Sequence, residues 1–81
     1  MKVRVQFFSH LKDRSGASEL EVSVKEGARV ADLLALLYER TPALREHDSS
    51  ILVGAGVEFV ERDYVLREND EIAIMPPVQG G

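Results

Sequence analysis

The chain has 81 residues, with ten Lys and Arg against fourteen Asp and Glu, a formal charge of −4 and 44% hydrophobic residues, which describes one small acidic domain with too little surface for two cores. It has no cysteine, so a disulfide framework, a thiolate zinc site, an iron–sulfur cluster and a thiol nucleophile are excluded, the fold must stand on burial, and the expected compartment is the cytoplasm. Lys2, Arg4, Lys12 and Arg14 form the only loose basic group, too little for a nucleic-acid binder, and the longest apolar run, Leu33 to Tyr38, falls far short of the roughly 18 residues of a spanning helix.

From Lys2 to Phe8, Val3, Val5 and Phe7 alternate with Arg4, Gln6 and Phe8, the period of a strand with one buried face. Met1 to Lys12 lacks the apolar centre of a signal peptide. Ser9 to Gly16 is polar and closes on Ser15-Gly16, which predicts a connection with a helical turn around His10 to Arg14. Ser18 to Val24 alternates again, with Leu20, Val22 and Val24 inward, and Lys25-Glu26-Gly27 stops this second strand with a turn.

At Val30 the period changes. Val30, Leu33, Leu34, Leu37 and Tyr38 fall at the spacing of one apolar stripe on an amphipathic helix, which Pro42 ends near Thr41. Ala28 and Arg29 stand where a Ser, Thr, Asp or Asn cap is usual, although Asp32 suits the positive end of the helix dipole. Pro42 to Ser50 is polar and predicts a short helical turn. Ile51 to Ala55 and Val57 to Val60 are short β-type runs broken around Gly54 and Gly56, either a kinked strand or a tight pair. Asp63 opens a turn, Tyr64 to Leu66 is a short extended piece, and Glu68-Asn69-Asp70 turns again. Glu71 to Met75 alternates with Ile72 and Ile74 inward and Ala73 and Met75 outward, until Pro76-Pro77 forbid further ladder donation. The result is a single α+β domain over residues 1–75, a β-grasp with a mixed sheet covered by one main helix, followed by a C-terminal tail, 76–81.

Particular residues carry a resemblance. The opening Val5-Gln6-Phe7-Phe8 with a Leu-Lys-Asp…Gly loop after it, Gly27…Val30-x-x-Leu33-Leu34, Asn69-Asp70-Glu71-Ile72 and the ending Pro76-Pro77-Val78-x-Gly80-Gly81 resemble the MoaD/ThiS family of ubiquitin-like sulfur carriers over the whole chain. The Phe-Phe opening and the Pro-Pro-Val ending look like the small subunit of molybdopterin synthase within that family, and less like the thiamine sulfur carrier. Ala55-Gly56 and Asn69-Asp70-Glu71 depart from the Val-Asn pair and Gly-Asp-Glu turn common in the family. Asn69 tolerates the left-handed conformation that Gly would supply.

The resemblance implies that the terminal carboxylate of Gly81 is the reactive group. An E1-like (MoeB-like) adenylyltransferase would adenylate it with ATP, sulfur would replace one oxygen, and the thiocarboxylate would donate sulfur to a pterin precursor, cyclic pyranopterin monophosphate. That transfer would occur inside a large (MoaE-like) subunit with which the chain forms a heterotetramer. The chain itself would bind no cofactor and supply no catalytic side chain. Gly80 and Gly81 can thread a narrow channel because they lack Cβ atoms, Pro76 and Pro77 favour an extended exit from the domain, and Val78 would anchor the tail in the partner. Two adjacent Gly arise by chance in roughly 0.5% of terminal pairs, and the chemistry requires that the chain stop at Gly81.

Phe8 and Met75 fall on the outward phase of the first and last strands, which in a β-grasp are parallel neighbours. Both are therefore expected to be exposed at one end of the sheet, beside the tail, as a docking patch for the large subunit and the activating enzyme. His10 and His47 lie in no nucleophile or metal motif, and no metal site is expected. Glu68, Asp70 and Glu71 read as a solvated turn that could meet basic groups of the activating enzyme. Competing functions share the activated carboxyl: a carrier for thiamine thiazole, tRNA or cysteine, or a protein modifier that passes Gly81 to a lysine amine. The remaining alternative is a β-grasp interaction module with an inert tail.

Overall fold

Alternating side chains of the first strand divide cleanly: Val3, Val5 and Phe7 are buried, while Lys2, Arg4 and Phe8 are exposed. This computed structural model describes residues 1–8 and 18–75; the connection and helical turn expected over 9–17 and the tail 76–81 lie outside them. Strand β1 (Lys2–Phe7) pairs antiparallel with β2 (Glu19–Ser23), with Val3 opposite Val22 and Val5 opposite Leu20. Helix α1 (Val30–Arg40) follows, then a 3-10 stretch (Pro42–Ser50), β3 (Leu52–Ala55), β4 (Glu58–Val60) and β5 (Glu71–Met75).

The five strands are ordered β2-β1-β5-β3-β4, with β1 and β5 parallel and the other neighbours antiparallel. This is the expected ubiquitin-like β-grasp. One face of the sheet packs on α1: Val5, Ile72, Ile74 and Val53 meet Val30, Leu33, Leu34, Leu37 and Tyr38 in one continuous core. Burying each such side chain contributes about 1.5–3 kcal/mol before conformational entropy is subtracted.

The absent polar cap of α1 is replaced from two sides. Asp32 accepts the Arg29 amide at 2.9 Å, and the Val30 and Ala31 amides donate to the carbonyls of Tyr64 and Arg62 at 3.0 and 2.9 Å. These bonds satisfy donors that every helix start leaves without an intrahelical partner. Leu66 reciprocates, its amide donating to the Ala28 carbonyl at 2.8 Å.

The expected short turn after Pro42 is a nine-residue 3-10 stretch. Such runs seldom persist on local geometry alone. Leu44 and Ile51 seat its two ends in the core, and Asp48 is gripped from α1 and from beyond β4. Residues 51–60 form the tight-pair alternative: Gly56, at φ 63°, and Val57 turn β3 into β4, with Val53 opposite Val60. Asn69 adopts φ 67° in the turn before β5, the left-handed conformation its sequence position suggested. That turn is sewn to β1 by the Asn69 amide on the Lys2 carbonyl and the Arg4 amide on the Asp70 carbonyl, both at 2.9 Å.

Candidate functional site

The sheet face turned away from α1 is ordered by strand register. Gln6, Ala73, Gly54 and Phe59 stand side by side across β1, β5, β3 and β4, and Met75 stands beside Leu52 in the next row. Neighbours in register share a face. Phe8 joins this second row, since Phe7 pairs with Ile74 and the Phe8 amide continues the ladder to the Ile74 carbonyl at 3.1 Å. The face is charged at its other end, where Lys2 meets Glu21 at 3.4 Å and Arg4 meets Glu19 at 3.3 Å.

Phe8 and Met75 are thus brought together at one end of one face, as expected from their phase. Phe8 is 43% exposed, whereas Met75 is half-buried because its methyl lies 3.4 Å from where a Cβ on Gly54 would stand. Three residues that strand phase in β1 and β5 did not identify extend the patch: Leu52, Phe59 and Val57 are 38%, 70% and 103% exposed. Their signal was the alternation of Ile51 and Val53 against Leu52 and Gly54, but it could not show which strand lay beside β5. Phe8, Gly54, Val57, Phe59, Ala73 and Met75 line a shallow hollow of about 220 Å³. Gln6, Glu58 and Glu71 also line it, so the apolar side chains are bordered by polar and charged groups.

The tail residues Pro76, Pro77, Val78, Gly80 and Gly81 lie outside the described residues. Met75, immediately before them, sits on the apolar end of the face.

Other polar groups have structural partners. Glu68 accepts the Lys2 amide at 3.1 Å, and Asp70 accepts the Tyr64 hydroxyl at 3.1 Å and the Arg67 amide at 2.8 Å. The Asp70 carboxylate therefore builds the turn, Glu68 ties it to β1, and Glu71 stays exposed. Burial first, and the Asp70 carboxylate second, push the Tyr64 hydroxyl above the usual tyrosine range. Asp48 accepts from the Tyr38 hydroxyl at 2.5 Å and from Arg62 at 2.9 Å, and these two bonds, Tyr38 foremost, hold its carboxyl below the usual range. His47 lies within the 3-10 stretch, and His10 is outside the described residues. Among the described residues no three His, Asp or Glu gather as a metal site, and no helix is long and apolar enough to cross a membrane.

The chain is 30% identical over 83 residues to the molybdopterin synthase sulfur carrier subunit of Chlamydomonas reinhardtii, with all of both chains covered. Its fold matches a putative molybdopterin converting factor subunit 1 from Pyrococcus furiosus, TM-score 0.89 and 28% identity over 96% of this chain and 99% of that one. It also matches SAMP1 from Haloferax volcanii, TM-score 0.87 and 28% identity over all of both chains. A family model described as the ThiS family spans residues 5–81, nearly the full sequence and including the Gly80-Gly81 end, and the chain belongs to that family.

Proposed function

We propose that this chain is the sulfur carrier subunit of a molybdopterin synthase, with the Gly81 carboxyl as the atom group that carries sulfur. One observation supports this above the others: an apolar face whose edge residue, Met75, directly precedes the Pro76–Gly81 segment. Such a face can hold a partner while the glycine end reaches that partner's active site. The end-to-end likeness to a carrier subunit of that synthase supports the same reading.

In the proposed cycle the Gly81 carboxylate attacks the α-phosphorus of ATP on an E1-like adenylyltransferase and releases pyrophosphate. A donor persulfide attacks the resulting acyl carbon and AMP leaves. A second thiol then cleaves the sulfur–sulfur bond, and the chain departs as a thiocarboxylate. That sulfur passes to the pterin precursor within the large subunit, in a heterotetramer of two chains of each kind. Activation of a carboxylate by adenylation replaces a poor leaving group with a good one, so this chain needs no nucleophile or base of its own. ATP is bound by the partner, the carrier holds no cofactor, and the cycle runs in the cytoplasm.

The test is intact mass spectrometry after incubation with an activating enzyme, ATP and a sulfur donor. Exchange of one terminal oxygen for sulfur, absent from a chain lacking Gly81, is expected; identical masses for both chains would overturn the proposal. Conversion of the pterin precursor by the loaded chain plus a large subunit then identifies the acceptor. The likeness to a structure named small archaeal modifier protein 1 favours a second reading, a protein modifier that passes the same activated carboxyl to a lysine amine. An isopeptide-linked product in the same mixture would support it.

A further inference from the structure

Strand β2 forms one edge of the sheet, and its register on β1 fixes which of its backbone groups face outward. The Val24 amide donates to the Met1 carbonyl at 2.8 Å, the Met1 ammonium donates back to the Val24 carbonyl at 3.1 Å, and the Phe7 amide donates to the Ser18 carbonyl at 2.9 Å. Bonded and unbonded pairs alternate along an antiparallel ladder. Leu20 and Val22 therefore bond to β1 as well, and the N–H and C=O groups of Glu19, Glu21 and Ser23 point away from it. Among the described residues no strand lies beyond them. An open edge of this kind is a template for one more strand.

The helix side of this edge is also unfilled. Asp32, Ala35, Leu36 and Glu39 are spaced as a second stripe along α1, apart from the one that faces the core, and Leu36 is the only large apolar residue of α1 left exposed, at 37%. With Val24 and Ala28, which flank the turn leaving β2, Ala35 and Leu36 line an open hollow of about 480 Å³. Glu26, Asp32 and Glu39 outnumber Lys25 around it. On the other sheet face Glu21 and Glu19 meet Lys2 and Arg4 only in exposed ion pairs, which contribute little and leave the carboxylates open to another cation. We infer that the β2 edge and this hollow form one docking site for an extended segment of a partner protein in which Lys or Arg alternates with aliphatic residues. Its backbone pairs with Glu19, Glu21 and Ser23, its basic side chains lie beside Glu19 and Glu21, and its aliphatic ones lie on the helix side, entering the hollow past Ser23. A second copy of this chain fits worse, because pairing about Glu21, the middle of β2, sets that glutamate against itself. The hollow shares no residue with the one around Phe8 and Met75, and the site does not depend on the carrier reading.

The test titrates the isotope-labelled full chain with an acetylated peptide of alternating lysine and valine. Expected are shifts at the Glu19, Glu21 and Ser23 amides and the Leu36 methyls, with slower hydrogen exchange at the Glu21 amide. Methylating the peptide nitrogens of either the lysines or the valines keeps every charge. The set that faces β2 should weaken binding by about tenfold or more, through lost hydrogen bonds, and the other set far less. Glutamate in place of the peptide lysines should abolish binding. Leu36→Arg should weaken it by about tenfold with the melt unchanged, since the side chain is already exposed and a like charge then meets the peptide. The methylated peptides need no change in the protein, so they decide the matter even if a variant folds poorly. Equal binding by both methylated peptides, equal binding by the glutamate peptide, shifts gathered on Phe8 and Phe59, or no shift at millimolar peptide overturns the site. A dimer in sedimentation that the peptide dissociates assigns the edge to a second copy and overturns the partner.

Discussion

Arg62 grips Asp48 twice, through Nη1 to the carboxylate Oδ1 at 2.9 Å and through Nη2 to the main-chain carbonyl at 2.7 Å. Its own carbonyl accepts the Ala31 amide at 2.9 Å. One residue therefore ties the 3-10 stretch to the start of α1. Both side chains are partly exposed, so solvent screening reduces the ion pair, and Arg62→Ala should lower stability by about 1–2 kcal/mol. Arg62→Lys should recover only part of this, since an ammonium cannot present a two-pronged fork. Urea denaturation with unchanged slope is the measurement.

Tyr38 supplies the other bond to Asp48, and burial, with Asp48 beside it, keeps its hydroxyl protonated well above the usual tyrosine range. Tyr38→Phe should cost about 1 kcal/mol. The Asp48 carboxyl is depressed in the folded chain, so its contribution is fully present above the unfolded value of about 3.9 and is lost as pH falls through the folded value. Without Tyr38 the folded value rises toward the unfolded one, and less of the stability lost in acid traces to Asp48. Titration of the Asp48 carboxyl by NMR in both chains checks the sign.

Asn69 holds φ 67° in the turn that delivers β5. Asn69→Gly should change stability by less than about 0.5 kcal/mol, whereas Asn69→Val, which resists the left-handed region, should cost about 1–2 kcal/mol. Thermal melts of the two variants separate backbone strain from any loss of side-chain contact.

For the apolar face, Phe8→Ala combined with Met75→Ala, and Phe59→Asp alone, should each weaken large-subunit binding by about 2 kcal/mol or more while the domain stays folded. Phe59 is 70% exposed, so an aspartate there meets water in the free chain. Calorimetric titration with the large subunit, together with circular dichroism of each variant, distinguishes lost docking from lost fold.

By contrast, Leu33, at 0% exposure, touches no functional surface. Leu33→Asp should abolish the cooperative melt by burying an unpaired charge. Adding one residue after Gly81 should leave that melt unchanged and block sulfur uptake as completely as deleting Gly81. Mass spectrometry and melting of the same three chains check both statements.

Much of this was legible in the residues themselves. Period-two alternation in Val3–Phe7, Leu20–Val24 and Ile72–Ile74 and the helical stripe from Val30 to Tyr38 each specify which side of a segment is buried, because that choice depends only on the geometry of the segment. Asn69 announced its left-handed turn for an equally local reason. A helical turn over Pro42 to Ser50 was legible, but not that it runs for nine residues as 3-10 helix, since Asp48 is held by Tyr38 and Arg62 from elsewhere in the chain.

The sequence by itself determined a small cysteine-free acidic domain with inward and outward faces on each element and a Gly80-Gly81 end. Only the tertiary structure decided that β3 lies beside β5, so that Leu52 and Phe59 share one sheet face with Phe8 and Met75. Periodicity fixes orientation within a segment, whereas pairing between distant strands is chosen by how all the segments bury their apolar faces together.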